Sequence, residues 1–123
     1  MNALNSTNAP AALGPYSQAL VQGDMVFCSG QIPLDPATGE MAKGIENQTR
    51  QVLKNLTAVL AENGMTLANV IKTTVFLADL NDFTAMNEVY AQFFTQPFPA
   101  RSCVQVAAIP KGSLVEIECI AVK

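Results

Sequence analysis

The stretch from Leu114 to Val122 limits the possible architecture more than any other part of the chain. Read as a strand, it puts Val115, Ile117, Cys119 and Ala121 on one face, apolar throughout. The other face carries Leu114, Glu116, Glu118, Ile120 and Val122, two carboxylates set among aliphatic groups. A strand face turned to solvent should not carry Ile120 and Val122. Both faces therefore need cover, and the chain offers few elements to supply it.

Only two segments have helical periodicity. From Gly44 to Gly64, Ile45, Thr49, Val52, Leu53, Leu56, Val59 and Leu60 fall on one stripe, and Asn63-Gly64 supplies a left-handed stop. A second helix is predicted from Asp82 to Phe94, with Asp79, Asn81 and Asp82 as capping candidates. Its stripe is Phe83, Met86, Tyr90, Phe93 and Phe94, and Asn87 sits next to that stripe. Strands are expected at Ser17–Val21, Met25–Ser29 and Val70–Ala78, the first two joined by the turn Gln22-Gly23-Asp24. Residues 5 to 15 read as loop, with Gly14-Pro15 delivering Tyr16 to a strand. The chain is thus a single domain, 1–123, of α+β class. A mixed sheet carries both helices on one face, and a further subunit is expected on the other.

Pro97 and Pro99 end the second helical pattern and push the preceding residues towards extended backbone. Arg101 then stands where loop becomes strand, with Arg101, Cys103 and Gln105 on one face and Ser102, Val104 and Val106 on the other. A guanidinium stays charged and presents a planar fork of donors suited to a carboxylate. Arg101 with Cys103, and Glu116 with Glu118, are expected together on the face between subunits. An Arg101–glutamate ion pair and a substrate-binding arginine beside a water-activating Glu116 are both compatible with that placement.

Composition narrows the chemistry. The chain has no histidine, so acid–base work falls to carboxylate, thiol, phenol, backbone or water, and histidine-based metal sites are excluded. Net charge is −3, with no cluster of Lys or Arg, which argues against a nucleic-acid partner. Cys28, Cys103 and Cys119 form no CxxC pair and read as free thiols in a reducing compartment. Cys103 as a covalent nucleophile would lack a histidine base. The N-terminus shows no basic region followed by an apolar one, and no apolar run approaches the ~20 residues of a membrane span. A cytoplasmic protein without membrane contact is expected.

Gly14-Pro15-Tyr16, Ser29-Gly30-Gln31-Ile32-Pro33, Lys72-Thr73-Thr74-Val75-Phe76-Leu77, Asn81-Asp82-Phe83, Phe98-Pro99-Ala100-Arg101-Ser102 and Val115-Glu116-Ile117-Glu118 occur in that order. Together they resemble the YjgF/RidA family of reactive-intermediate deaminases, once described as translation inhibitors or ribonucleases. The resemblance implies a chorismate-mutase-like sandwich assembled as a homotrimer, with sites in the clefts between subunits. It also implies hydrolysis of enamine and imine acids, such as 2-aminoacrylate and 2-aminocrotonate, to 2-keto acids and ammonia, with no metal or cofactor. On the matching positions, Arg101 would bind the substrate carboxylate and Glu116 orient the water. Tyr16, Ser29, Gly30, Asn87 and Cys103 would line the pocket. Some relatives use such a pocket for ligand sensing without catalysis. Two departures bear on substrate preference: a short link from Phe94 to Phe98, and Gln105 where a glutamate is common.

Overall fold

The computed structural model describes residues 1–123. Its strands are β1 (Asn2–Leu4), β2 (Ala19–Gln22), β3 (Met25–Gln31), β4 (Val70–Leu77), β5 (Ala100–Gln105) and β6 (Val115–Val122). The helices are α1 (Ile45–Ala61) and α2 (Phe83–Phe93). One six-stranded sheet has the order β1-β2-β3-β6-β4-β5. Every neighbouring pair is antiparallel except β4 and β5, which run parallel because α2 carries the chain back between them. The sheet is therefore mixed, with both helices on one face, as the periodicities predict.

The alternation in β6 decides where the core lies. Val115, Ile117, Cys119 and Ala121 are buried, and they meet Val52, Leu53, Leu56, Val59 and Leu60 of α1 in one hydrophobic cluster. Those α1 positions recur at helical spacing, and the helix stops where Gly64 adopts φ +67°. Truncating a fully buried leucine such as Leu56 to alanine should remove about 2–5 kcal/mol of stability. Buried polar groups on α1 tie loops to this core. Asn55 Nδ2 donates to the carbonyls of Ile32 and Leu34 at 3.2 and 3.0 Å. Gln48 Oε1 accepts from the Leu114 N–H at 2.8 Å, which fixes the chain two residues before Glu116.

Three expectations need adjustment. β1 was not foreseen; it pairs with β2 at Asn2↔Val21, Ala3↔Leu20 and Leu4↔Ala19. β2 begins at Ala19 and not Ser17, because the side chain of Gln18 is spent on the preceding loop. Its Oε1 accepts from Ser6 N–H at 2.6 Å, and its Nε2 donates to the carbonyls of Ser6 and Pro10 at 3.1 and 2.8 Å. β3 extends to Gln31 through a bulge: Cys28 pairs with Cys119 and Gln31 with Ile117, so Ser29 and Gly30 together oppose Glu118.

The face of the sheet away from the helices is open in the single chain. Phe27 is 43% and Val104 44% exposed there, and Ile120 and Val122 are half-buried.

Candidate active site

Arg101 enters the sheet opposite Thr73 of β4. Thr73 is fully buried, so the rung they share faces the helices. The Arg101 guanidinium accordingly lies against α2, with Cζ 4.8 Å from the Tyr90 ring centroid and 5.5 Å from that of Phe83. Arg101 Nη1 donates to Asn87 Oδ1 at 2.7 Å. Phe83, Asn87 and Tyr90 are spaced i, i+4, i+7, which puts them on one side of α2. The guanidinium is thereby stacked and tied at one nitrogen, while its remaining N–H groups are available to a ligand. An open cleft of about 660 Å³ adjoins it, with Thr84, Asn87, Tyr90, Phe98 and Pro99 among its walls. Cys103 lies on the same face of β5 as Arg101. Burial pushes its thiol pKa up, only partly opposed by the Arg101 charge.

A second group of the residues expected to form the site gathers around the β3 bulge. Ser29 Oγ donates to the Ser17 carbonyl at 2.6 Å, and Ser29 N–H donates to the Gln18 carbonyl at 2.9 Å. Tyr16 is exposed beside Ser17 and Ser29. Gly30 lies against the Glu116 side chain, where an added Cβ would come within 2.9 Å of Glu116 Cδ. Burial raises the Glu116 pKa above the usual glutamate value, and the neighbouring Glu118 charge adds to the effect. A carboxyl so placed can take up or release a proton nearer neutral pH than a solvated one.

These two groups do not meet within one chain. Glu116 pairs with Phe76, and Arg101 with Thr73, so the two side chains point to opposite faces of the sheet. The expectation that Arg101 and Cys103 share a face with Glu116 and Glu118 is thus corrected. Strand parity says which residues share a face; the parallel β4–β5 register decides which face it is. Arg101 bonds to neutral Asn87 and makes no ion pair with either glutamate. Gln105 is also accounted for, since its Oε1 accepts from the Leu80 N–H at 2.8 Å and pins the turn before α2.

Tyr16, Ser29, Gly30 and Glu116 are therefore assembled on one side, and Asn87, Arg101 and Cys103 on the other. The sequence reading missed Phe83, Tyr90 and Thr73 as partners of the arginine. Their signal was the helical spacing of Phe83 and Tyr90 with Asn87. No three His, Cys, Asp or Glu side chains converge in a way that would hold a metal ion.

Residues 6–123 match the sequence profile of the family described as endoribonuclease L-PSP. A RutC family protein of Pyrococcus horikoshii is 56% identical over 117 residues, covering 94% of this chain and 93% of its own. A protein of Salmonella typhimurium named 2-iminobutanoate/2-iminopropanoate deaminase is 51% identical over 119 residues, covering 94% and 93%. Among solved structures, E. coli TdcF with bound serine superposes with a TM-score of 0.96 at 47% identity, covering 100% of this chain and 99% of that one.

Proposed function

The chain belongs to the endoribonuclease L-PSP family, the YjgF/RidA proteins, and on that premise we propose that it hydrolyses reactive enamine and imine acids to 2-keto acids and ammonia. The observation that carries this reading is the stacked Arg101, held by Asn87 at one nitrogen with N–H groups left over. Such a fork binds a planar carboxylate through two parallel charge-assisted hydrogen bonds. The deaminase name of the 51% identical relative, and the amino acid bound to TdcF, support a carboxylate ligand of this size.

The reaction asks little of the protein beyond placement. An enamine tautomerises to the imine, whose carbon accepts the oxygen of water while the water's proton leaves. Protonation of the nitrogen then lets the carbinolamine lose ammonia as the C–N bond breaks, the C=O forms and the hydroxyl proton passes to Glu116. Arg101 fixes the carboxylate and thereby the imine carbon. Glu116 orients the water and accepts its proton, then returns one to the leaving nitrogen. Tyr16, Ser29 and Gly30 close the pocket around Glu116, and Cys103 forms wall beside Arg101. A thiol whose pKa is raised and which has no base nearby is a poor nucleophile.

Because Arg101 and Glu116 occupy opposite faces, a complete site needs two copies of the chain. We assign the open face, with Phe27, Val104, Ile120 and Val122, to contact with a neighbouring copy in a chorismate-mutase-like homotrimer. Burying that apolar area supplies the driving force. One copy then brings the guanidinium to the other's Glu116. RNA cleavage, which the family description suggests, is not part of the proposal. The chain lacks histidine and any basic cluster, and it carries net charge −3.

A carboxylate-binding sensor without turnover is the second reading. The separation of the two groups favours it, since Arg101 could hold a ligand with Glu116 unused. A coupled assay decides: a serine or threonine dehydratase supplies the enamine, and keto-acid release is followed with and without this protein. Acceleration supports the deaminase. Binding of 2-oxobutanoate without acceleration supports the sensor.

A further inference from the structure

We propose that Tyr90 is a positioning residue for Arg101, and that its hydrogen bond to Thr73 sets the plane in which the guanidinium meets a carboxylate. This role presupposes the carboxylate clamp proposed above. Three contacts close a loop around the arginine. Thr73 and Arg101 are partners on one rung of the β4–β5 ladder. Thr73 Oγ1 and the Tyr90 hydroxyl share a buried hydrogen bond of 2.8 Å. The Tyr90 ring in turn lies under Arg101 Cζ at 4.8 Å. The rung that carries the arginine therefore also holds the ring on which it rests.

Elsewhere the ring has little freedom. Tyr90 is 6% exposed, and its centroid lies 4.5 Å from that of Phe94. Its hydroxyl is occupied by Thr73, and burial raises the phenol pKa, so Tyr90 stays protonated. It therefore has no proton-transfer task, and its contribution is geometric. Asn87, one turn earlier on α2, restrains the guanidinium edge while Tyr90 restrains its face. With edge and face both held, the unused N–H groups point in a fixed direction.

The chain has only two arginines, Arg50 and Arg101, so their guanidinium signals in an NMR spectrum are separable. Arg50 bonds to Asn47 on the exposed side of α1 and serves as the internal reference. The variants are Tyr90→Phe, Thr73→Val, the double variant with both changes, and Tyr90→Leu. In the parent, Arg101 should show slowly exchanging Nη signals while those of Arg50 are averaged. Tyr90→Phe should speed Arg101 exchange and raise KM about two- to tenfold, the span of one net hydrogen bond, with kcat changed less. Tyr90→Leu, which also removes the stacking, should raise KM about three- to thirtyfold. The double variant leaves no orphaned hydroxyl, so it should recover thermal stability relative to Thr73→Val while KM stays high.

Parent-like Arg101 signals and parent-like KM in Tyr90→Phe and the double variant would overturn the proposal. So would a KM that returns to the parent value together with stability, since that marks a merely structural bond. If the parent itself fails to turn over imines, the deaminase reading falls. The Arg101 signals and the affinity for 2-oxobutanoate then still decide whether Tyr90 positions the arginine. If Tyr90→Leu does not fold, Tyr90→Phe and the double variant carry the same decision.

Discussion

Gly30 and Glu116 touch across the β3 bulge with no room for a side chain on the glycine. A Cβ there would lie within 2.9 Å of Glu116 Cδ. Since the obstacle is the end of a flexible side chain, Gly30→Ala should fold and assemble normally while Glu116 is displaced. Turnover should fall about 100-fold, the effect of misplacing a reacting group by an ångström, and 2-oxobutanoate should still bind at Arg101. Titration calorimetry beside the coupled assay checks this. Undiminished turnover would mean that the position of Glu116 is unimportant.

Arg101→Lys keeps the charge but loses both the planar fork and the stacking on Tyr90 and Phe83. kcat/KM should drop roughly 30- to 1,000-fold. Arg101→Ala should also lose a little thermal stability, because its side chain packs on two rings. Lysine activity equal to the parent's would reduce Arg101 to a generic charge.

The raised pKa of Glu116 gives a signed pH dependence. Its folded pKa lies above the unfolded value, so the native state is disfavoured once the group ionises. The penalty is absent below the unfolded carboxylate range and complete above the folded pKa. In the Arg101→Ala background, where no neighbouring guanidinium opposes the shift, adding Glu116→Gln should therefore raise the unfolding temperature at neutral pH, and the difference should vanish in acid. Turnover should be lost at every pH. A stability gain confined to acid would reverse the assignment.

Cys103→Ser should keep turnover within about tenfold, because a wall residue of similar volume remains. A nucleophile's removal would instead cost ~10⁴-fold or more. The coupled assay on the purified variant separates these outcomes.

Arg101→Ala and Glu116→Gln should each be inactive, yet mixing them under conditions that exchange subunits should restore activity. In the proposed ring of three, random assortment gives about one quarter of the sites a native Arg101 and a native Glu116. No recovery, with exchange verified by native mass spectrometry, would show that the two residues do not share a site. Ile120→Glu should yield smaller species by light scattering and lose turnover.

Much of this arrangement was legible in the sequence because it follows from short periods. The two-residue alternation of β6 identified the buried face, and the α1 stripe identified the helix that covers it. Arg101 could be placed at a strand start from Pro97 and Pro99 alone. Its direction could not, because a strand's own pattern does not say how it registers with a parallel neighbour 28 residues away, as Thr73 does with Arg101. β1 left no signal, since three residues paired through backbone hydrogen bonds show no alternation to detect. Tyr90 was legible only as core; the Thr73 hydroxyl that gives it a second role lies on another element.

The β3 bulge also makes a statement about chain length. Cys28 and Gln31 face the helices on either side of it, paired with Cys119 and Ile117 two positions apart on β6. Deleting one of Ser29 and Gly30 would leave both pairs intact and turn an irregular ladder into a regular one. The β3–β6 ladder would lose none of its pairs by such a deletion. The hydroxyl of Ser29 or the bare Cα against Glu116 would disappear. Under the proposed mechanism the supernumerary residue of β3 serves the chemistry and not the β3–β6 ladder, and single-residue deletions that keep this ladder in register should be confined to these two positions.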